Sequence, residues 1–369
     1  MSSIPLALRL ANSWLRPGLP SYLIYFVTAR CNAKCESCFY WKETESAAER
    51  SELTPEETIK IAEKLPRLLQ LTLSGGEPFM REDLFDLVSP IIEKSRPGFL
   101  SIPSNGIMTE RIIKTAQQLL SRFPWLRVNI ELSLDGIGKT HDRIRGRIGA
   151  FEELTKSWRE LKALQDKHPR LRLGILTVLS ALNRDEIFKT LEYIKIELLP
   201  DRMEVLFARG TPRNPDAIKV PIERFQEVAA WLDKESPSPK SFMDRVRREL
   251  ARQKRGLIVE TVLKNRMVMP CLAGSKLIVM EPDGRIRPCE MLETLYPSPP
   301  AQLGRENFFM GDLRKSNYDL EKILKSDASQ KIRDFIAHSS CHCSYECAAL
   351  ADLAFRPSSV FKLFLKALF

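Results

Sequence analysis

"TARCNAKCESCFYW", residues 28–41, sets three cysteines in a C-x3-C-x2-C pattern at Cys31, Cys35 and Cys38. The spacing is too irregular for two zinc-binding pairs and too short for a disulfide framework. Directly before it, Tyr22 to Thr28 is apolar almost throughout, rich in β-branched and aromatic residues, and reads as a buried strand. The three thiols therefore leave that strand on its following loop.

The segments further along repeat one pattern. "LTPEETIKIAEKL" opens a helix with Thr54 as N-cap, Pro55 in the first turn and Glu57 three residues after the cap. Strand readings follow at 69–74, 98–104, 126–133, 171–179 and 202–208. Helix readings fall between them, around Leu84 to Ser95, from Thr109, from Phe151 to about Lys167, and from Asp185. Six strand–helix alternations in under 200 residues predict an α/β fold with a parallel sheet, a partial (β/α)6 TIM-like barrel or a doubly wound sheet. Barrel chemistry sits at the C-terminal strand ends. The suggestive residues lie there: the cysteine loop after strand one, "SGGEP" (74–78) after strand two, "SNG" (104–106) after strand three, "SLDG" (133–136) at strand four and "ARG" (208–210) at strand six.

Composition narrows the class. The chain has 369 residues, 44% of them hydrophobic, enough for a sizeable core. No apolar run reaches the length of a membrane span. Arg9, Arg16, Pro17 and Pro20 interrupt the N-terminal apolar stretches, so no signal peptide is read and a cytoplasmic protein is expected. Eight cysteines in clusters, in a long chain without a signal, point to metal or catalysis rather than disulfides. The net charge of +10 is dispersed, as in "RVRRELARQKR" (245–255), and no nucleic-acid-binding module is visible.

After Gly210 the pattern changes. Residues 221–255 read as two charged helices broken at "SPSPK" (236–240). "CLAGSKLIVMEPDGRIRPCE" (271–290) reads as a hairpin turning at Pro282-Asp283-Gly284, with a cysteine at each end. The domain reading is an N-terminal amphipathic segment (1–20), a core barrel (21–215), a helical bridge (216–260), a small β-hairpin-plus-helix auxiliary domain (261–350) and an amphipathic tail (351–369).

Three thiolates supply only three ligands to a four-iron cluster and leave one iron open; an electron-carrying cluster normally uses four. With C-x3-C-x2-C after the first barrel strand, the sequence resembles the radical S-adenosylmethionine (SAM) superfamily. The resemblance implies that the open iron of a 4Fe-4S cluster chelates SAM, which is reductively cleaved to a 5′-deoxyadenosyl radical that abstracts a substrate hydrogen. Gly75, Gly76, Glu77 and Pro78 resemble the segment that binds the SAM amino group through backbone oxygens and the glutamate. Ser133 resembles the residue contacting the SAM ribose or carboxylate, with Asp135 beside it. Arg145, in "HDRIRG" (141–146), resembles the arginine that meets the SAM carboxylate. Ser104, Asn105 and Arg209 are further candidates; Arg209 serves equally well as a salt-bridge partner, and His141 reads as a hydrogen-bonding residue. The family's aromatic before the third cysteine is replaced by Ser37, with Phe39 and Tyr40 following Cys38.

The C-terminal region resembles the auxiliary-cluster extension called SPASM, or its shorter twitch form. Cys271, Gly284 and Cys289 fit its hairpin, and "CHCSYEC" supplies Cys341, Cys343 and Cys347. Five cysteines suit one auxiliary 4Fe-4S cluster. The resemblance favours Cys271, Cys289, Cys343 and Cys347 as ligands, with Cys341 spare or in place of Cys343. Four soft thiolates suit zinc as well. Glu290, after Cys289, matches an acidic residue that in some SPASM enzymes accepts a proton as a substrate radical is oxidised. A flavodoxin- or ferredoxin-type electron donor is implied. The substrate readings are a lipid or lipid-linked metabolite, a peptide in ribosomal-peptide or sulfatase maturation, and a sugar. A non-catalytic iron–sulfur electron carrier or regulator is a fourth reading, with no use for GGEP or SLDG. Only the chain ends suggest lipid. "IPLALRLANSWLR" (4–16) and "RPSSVFKLFLKALF" (356–369) are basic, bulky and amphipathic, as segments lying at the inner face of a membrane are.

Overall fold

The computed structural model describes residues 6–49, 51–300, 303 and 307–368. Residues 1–5 of the N-terminal segment, and Phe369, lie outside the described residues.

Six parallel strands, β1 (Tyr22–Thr28), β2 (Gln70–Gly75), β3 (Phe99–Ser104), β4 (Arg127–Ser133), β5 (Leu171–Leu179) and β6 (Arg202–Phe207), lie side by side in chain order. A doubly wound sheet reverses its strand order at a switch point. Here every crossover steps the same way, which curls the sheet into a partial barrel that does not close. β1 is buried along its whole length, as its unbroken apolar sequence requires. The capping box forms as read, Thr54 accepting from the Glu57 N–H. Glu57 also takes Arg314 Nε at 2.6 Å and the Tyr318 hydroxyl at 3.0 Å, so this cap fastens the C-terminal region to the barrel.

The hairpin read at 271–290 does not stand apart from the barrel. β7 (Leu277–Met280) pairs parallel with β1, Tyr22 opposite Leu277, and β8 (Arg285–Arg287) and β9 (Gly311–Asp312) follow antiparallel. The reason is the exposed edge. A buried apolar strand cannot leave a row of N–H and C=O groups unpaired, and β7, wholly buried itself, covers them. Gly284 makes the turn at φ +85°.

Two helices stand against the open side. Phe242–Lys264 and Glu346–Ala354 pack on each other. From the first, buried Lys254 pairs with Glu204 of β6, which Arg202 also holds. From the second, Cys347 receives the Tyr22 hydroxyl of β1 at 3.4 Å. Burial opposes the charge on Glu204, yet Lys254 and Arg202 together bring its carboxyl down to about 2. Its stabilising contribution is therefore present above the ordinary carboxylate range and is lost as pH falls toward 2.

Removing one partner of a buried pair is costly, and Arg202 limits the damage here. Lys254→Ala should lower unfolding stability by about 3 kcal/mol, measured anaerobically in urea. A Glu204→Leu/Lys254→Met variant, which leaves no buried charge unpaired between the two positions, should lose less.

Candidate functional site

The loop carrying Cys31, Cys35 and Cys38 has almost no regular structure, and its neighbours hold it on several sides. On one side the Gly76 and Glu77 N–H groups donate to Thr28 and Arg30 carbonyls at 2.8 and 2.9 Å. A Cβ on Gly76 would lie 2.1 Å from the Arg30 oxygen, and one on Gly75 (φ +111°) 2.3 Å from that of Thr28. On another side Lys34 and Glu36 N–H groups donate to Arg145 and Ile144 carbonyls, and a Cβ on Gly146 would meet the Lys34 oxygen at 2.4 Å. From the β6 end, Arg213 and Asn214 N–H groups donate to the Cys38 and Glu36 carbonyls. Burial pushes the Cys31 and Cys38 thiols up to about 12, each raised further by Cys35. Loading a metal must therefore release protons.

Arg145 lies under this loop, buried. Its Nη2 pairs with Asp135 at 2.9 Å and its Nη1 is 3.7 Å from Cys35 Sγ. Asp135 is itself fixed by the Val178 N–H at 2.8 Å. The Asp135 N–H donates to His141 Nδ1 at 3.2 Å, and burial beside Arg145 holds His141 neutral, with its pKa lowered to about 2. Glu77 is 2% exposed. One of its oxygens accepts from the Phe79 N–H and Ser104 hydroxyl, the other from the Asn105 N–H. Its carboxylate thus ties β2 to β3, and burial raises it to about 7 against these bonds. Asn105 continues the tie to Asn32 in the cysteine loop at 2.7 Å. Ser133, half-buried at the end of β4, stands beside them. Tyr40 packs edge-on to Phe26 and donates to Glu281, inside the core, while Phe39 stays half-buried.

A second group of cysteines surrounds a small cavity, lined by Cys271, Cys289, Cys341 and Cys343 with Met267, Met291, Ile336, His342, Tyr345 and Ala348 among its walls. The set preferred from the resemblance included Cys347 and left out Cys341. In the structure Cys341 lines the cavity and Cys347 bonds to Tyr22. Between the two cysteine groups stands Arg209. It pairs through both terminal nitrogens with Glu346 and lies over the rings of Phe39 (5.6 Å) and Tyr345 (4.9 Å). A Cβ on Gly210 (φ +73°) would lie 3.1 Å from Phe39 and 3.4 Å from Met291, which lines the second cavity, so little separates the two sites there. Glu290 faces Arg209 and Tyr345, and burial raises its carboxyl to about 7 against their pull. Glu346 and Tyr345 went unread in the sequence, although they lie inside "CSYEC", between two cysteines singled out for metal.

Residues 25–194 match the model of the radical SAM superfamily, and residues 271–348 that of the iron–sulfur cluster-binding SPASM domain. The chain carries a radical SAM domain followed by a SPASM domain. An AdoMet-dependent heme synthase of Methanosarcina barkeri is 27% identical over 291 residues, 75% of this chain and 78% of the relative. A PqqA peptide cyclase of Granulibacter bethesdensis is 26% identical over 304 residues, 75% of this chain and 69% of the relative. The crystal structure of anSMEcpe with bound AdoMet and the Cp18Cys peptide shares the fold with a TM-score of 0.58 at 16% identity, covering 95% of this chain and 97% of that one. As a radical SAM enzyme with a SPASM domain, the chain takes 4Fe-4S clusters and SAM as cofactors. The residues fit them: two separate thiol groups, a fixed guanidinium against one, and glycines where only backbone can approach.

Gly76→Ala should test that packing. With a Cβ forced against the Arg30 carbonyl, reconstituted protein should lose the cluster at Cys31, Cys35 and Cys38. Iron should fall by about four per chain, while circular dichroism stays as in the parent.

Proposed function

We propose that this chain is a radical SAM oxidase of a peptide substrate, with Cys31, Cys35 and Cys38 holding the SAM-binding cluster and Glu290 accepting the proton that oxidation releases. When bound and reduced, that cluster and SAM supply the 5′-deoxyadenosyl radical that takes a substrate hydrogen. Arg145, anchored by Asp135, offers a fixed positive charge to the SAM carboxylate, and Ser133 a hydroxyl. Backbone oxygens of the Gly75–Gly76 turn, rather than the engaged Glu77 carboxylate, are left for the amino group. A substrate carbon radical that is oxidised gives up one electron and one proton. The observation that carries the oxidase reading is Glu290, next to Cys289 in the chain and facing Arg209 and Tyr345. The peptide reading draws on the PqqA peptide cyclase relative; the heme synthase relative supports a tetrapyrrole as the second reading. Neither relative is a lipid enzyme by name.

Anaerobic incubation with SAM and dithionite should give 5′-deoxyadenosine, and replacing Cys31, Cys35 and Cys38 with Ala should abolish it. Glu290→Gln should keep SAM cleavage and cut product formation roughly a hundredfold or more. Unchanged product would remove Glu290 from the mechanism. Deuterated peptide and tetrapyrrole fractions from the host decide the substrate class by which of them passes label into 5′-deoxyadenosine.

The proposal includes a contact with an anionic membrane surface. Among the described residues no helix is long and apolar enough to cross a membrane. The helix Pro357–Lys366 begins two residues before the Ser359 start read in the sequence. It packs Val360 and Leu363, with Ala367 just past its end, against the long helix, whose Val246 is buried there. Phe361, Leu365 and Leu368 stay outside, 66%, 42% and 55% exposed. They form one stripe at i, i+4 and i+7, beside exposed Lys362 and Lys366. At the other end Leu8 and Leu15 are exposed, but Lys276 binds the Ser13, Arg16 and Leu19 carbonyls and clamps that segment to the barrel. The intact protein should cosediment with vesicles containing phosphatidylglycerol and not with neutral ones at low salt. Phe361→Asp/Leu365→Asp should abolish this with iron content unchanged. Absence of binding by the intact protein refutes the contact.

A further inference from the structure

We propose that the auxiliary cluster is ligated by Cys271, Cys289, Cys341 and Cys343, and that Cys347 ligates neither cluster but stands as a free thiol in the wall between them. The inference rests on the second cluster implied by the SPASM domain, not on SAM chemistry or on the substrate.

Helix geometry separates Cys347 from the other four. Tyr345 and Ala348, three residues apart and hence on one face, line the cavity. Cys347, the second residue of the helix Glu346–Ala354, lies about 100° from Ala348 and turns to the barrel. There the Tyr22 hydroxyl donates to its sulfur at 3.4 Å. Tyr22 is 2% exposed and also reaches Thr72 at 3.1 Å, so its position is set by β1 and β2 rather than by the thiol. Glu346, Glu290 and Tyr345 also act on the Cys347 thiol. A cluster-bound thiolate there would face two carboxylates, Glu346 paired with Arg209 and Glu290 beside that same guanidinium. Cys341 meets no such obstacle: it borders the cavity through a short extended stretch and shares it with Cys343 at a spacing of two residues.

Four soft thiolates suit zinc as well as iron, so metal analysis decides between them. Four thiolates leave no open iron, so this cluster passes electrons rather than binding SAM.

The test uses protein carrying Cys31→Ala, Cys35→Ala and Cys38→Ala, so that only the auxiliary site loads and no activity is read. Iron, sulfide and zinc analysis, with electron paramagnetic resonance after dithionite, is applied to Cys341→Ala, Cys343→Ala, Cys347→Ala and Cys347→Ser added singly. Both Cys347 variants should keep about four irons and the parent spectrum, and Cys341→Ala and Cys343→Ala should lose the cluster or change its spectrum. Iron loss in Cys347→Ser with parent circular dichroism, or a full cluster with the parent spectrum in Cys341→Ala, overturns the ligand set. One zinc and no iron in the parent overturns the cluster itself.

Discussion

A loop that must hold three soft thiols has no hydrogen-bond ladder of its own, so its shape must come from neighbours. In this chain it comes from backbone contact. The turn at Gly75–Gly76 and the turn at Gly146 approach the cysteine loop so closely that any side chain there would overlap a carbonyl. Main-chain bonds from Lys34, Glu36, Gly76 and Glu77 fill the space that side chains would otherwise take. Everything else at the first site depends on that clamp. Asn105 and Glu77 brace one side of it, and Arg145 with Asp135 the other. Four strand ends are committed to positioning one loop, which accounts for chemistry at the C-terminal edge of a sheet that never closes.

The second site inherits its position from the first through β1. One strand carries the cysteine loop at its C-terminal end, pairs with β7 along its side, and presents Tyr22 to the helix of Cys347 at its start. The two thiol groups are therefore referred to a common rigid element rather than joined by a linker. Arg209 adds a second reference, since it leaves the end of β6 and is held by Glu346. Gly210 beside it leaves out a Cβ that would crowd both Phe39 and Met291. Domain motion that changed the distance between the two sites would have to break a strand pairing and a buried ion pair together.

The parts legible in the sequence were those with a period or a spacing. β1 to β6 lie within a residue or so of their reading because buried strands and their following helices alternate in pattern. The Thr54–Glu57 cap and the turn at Gly284 follow from local chemistry. The first cysteine loop announced itself through C-x3-C-x2-C. What the sequence left unread depends on pairings distant along the chain. Nothing in "KLIVM" tells that its partner is β1, 255 residues earlier by the Tyr22–Leu277 register. That Ser104 and Asn105 bond the Glu77 oxygens follows from β3 lying beside β2, not from the spacing of GGEP. The choice among Cys341, Cys343 and Cys347 turns on a rotation of about 100° between adjacent helical residues, which spacing alone does not resolve before the helix start is known.

The electrostatics of the two sites follow one rule. Each has a buried arginine that is already paired: Arg145 with Asp135 below the first thiol group, and Arg209 with Glu346 beside the second. An unpaired guanidinium at either place would be too costly to bury, and a fully neutralised one would do nothing for its surroundings. The observed arrangement lies between these limits. The carboxylate fixes the arginine, while the rest of the guanidinium faces the Cys35 sulfur in one case and the rings of Phe39 and Tyr345 in the other. A cation held near a cluster favours its reduced state, because the added electron is stabilised by a charge that need not move. The same cation beside Glu290 favours the ionised carboxylate that burial alone would protonate. One pairing pattern, used twice, thus places a fixed positive charge beside Cys35 in one case and beside Glu290 in the other.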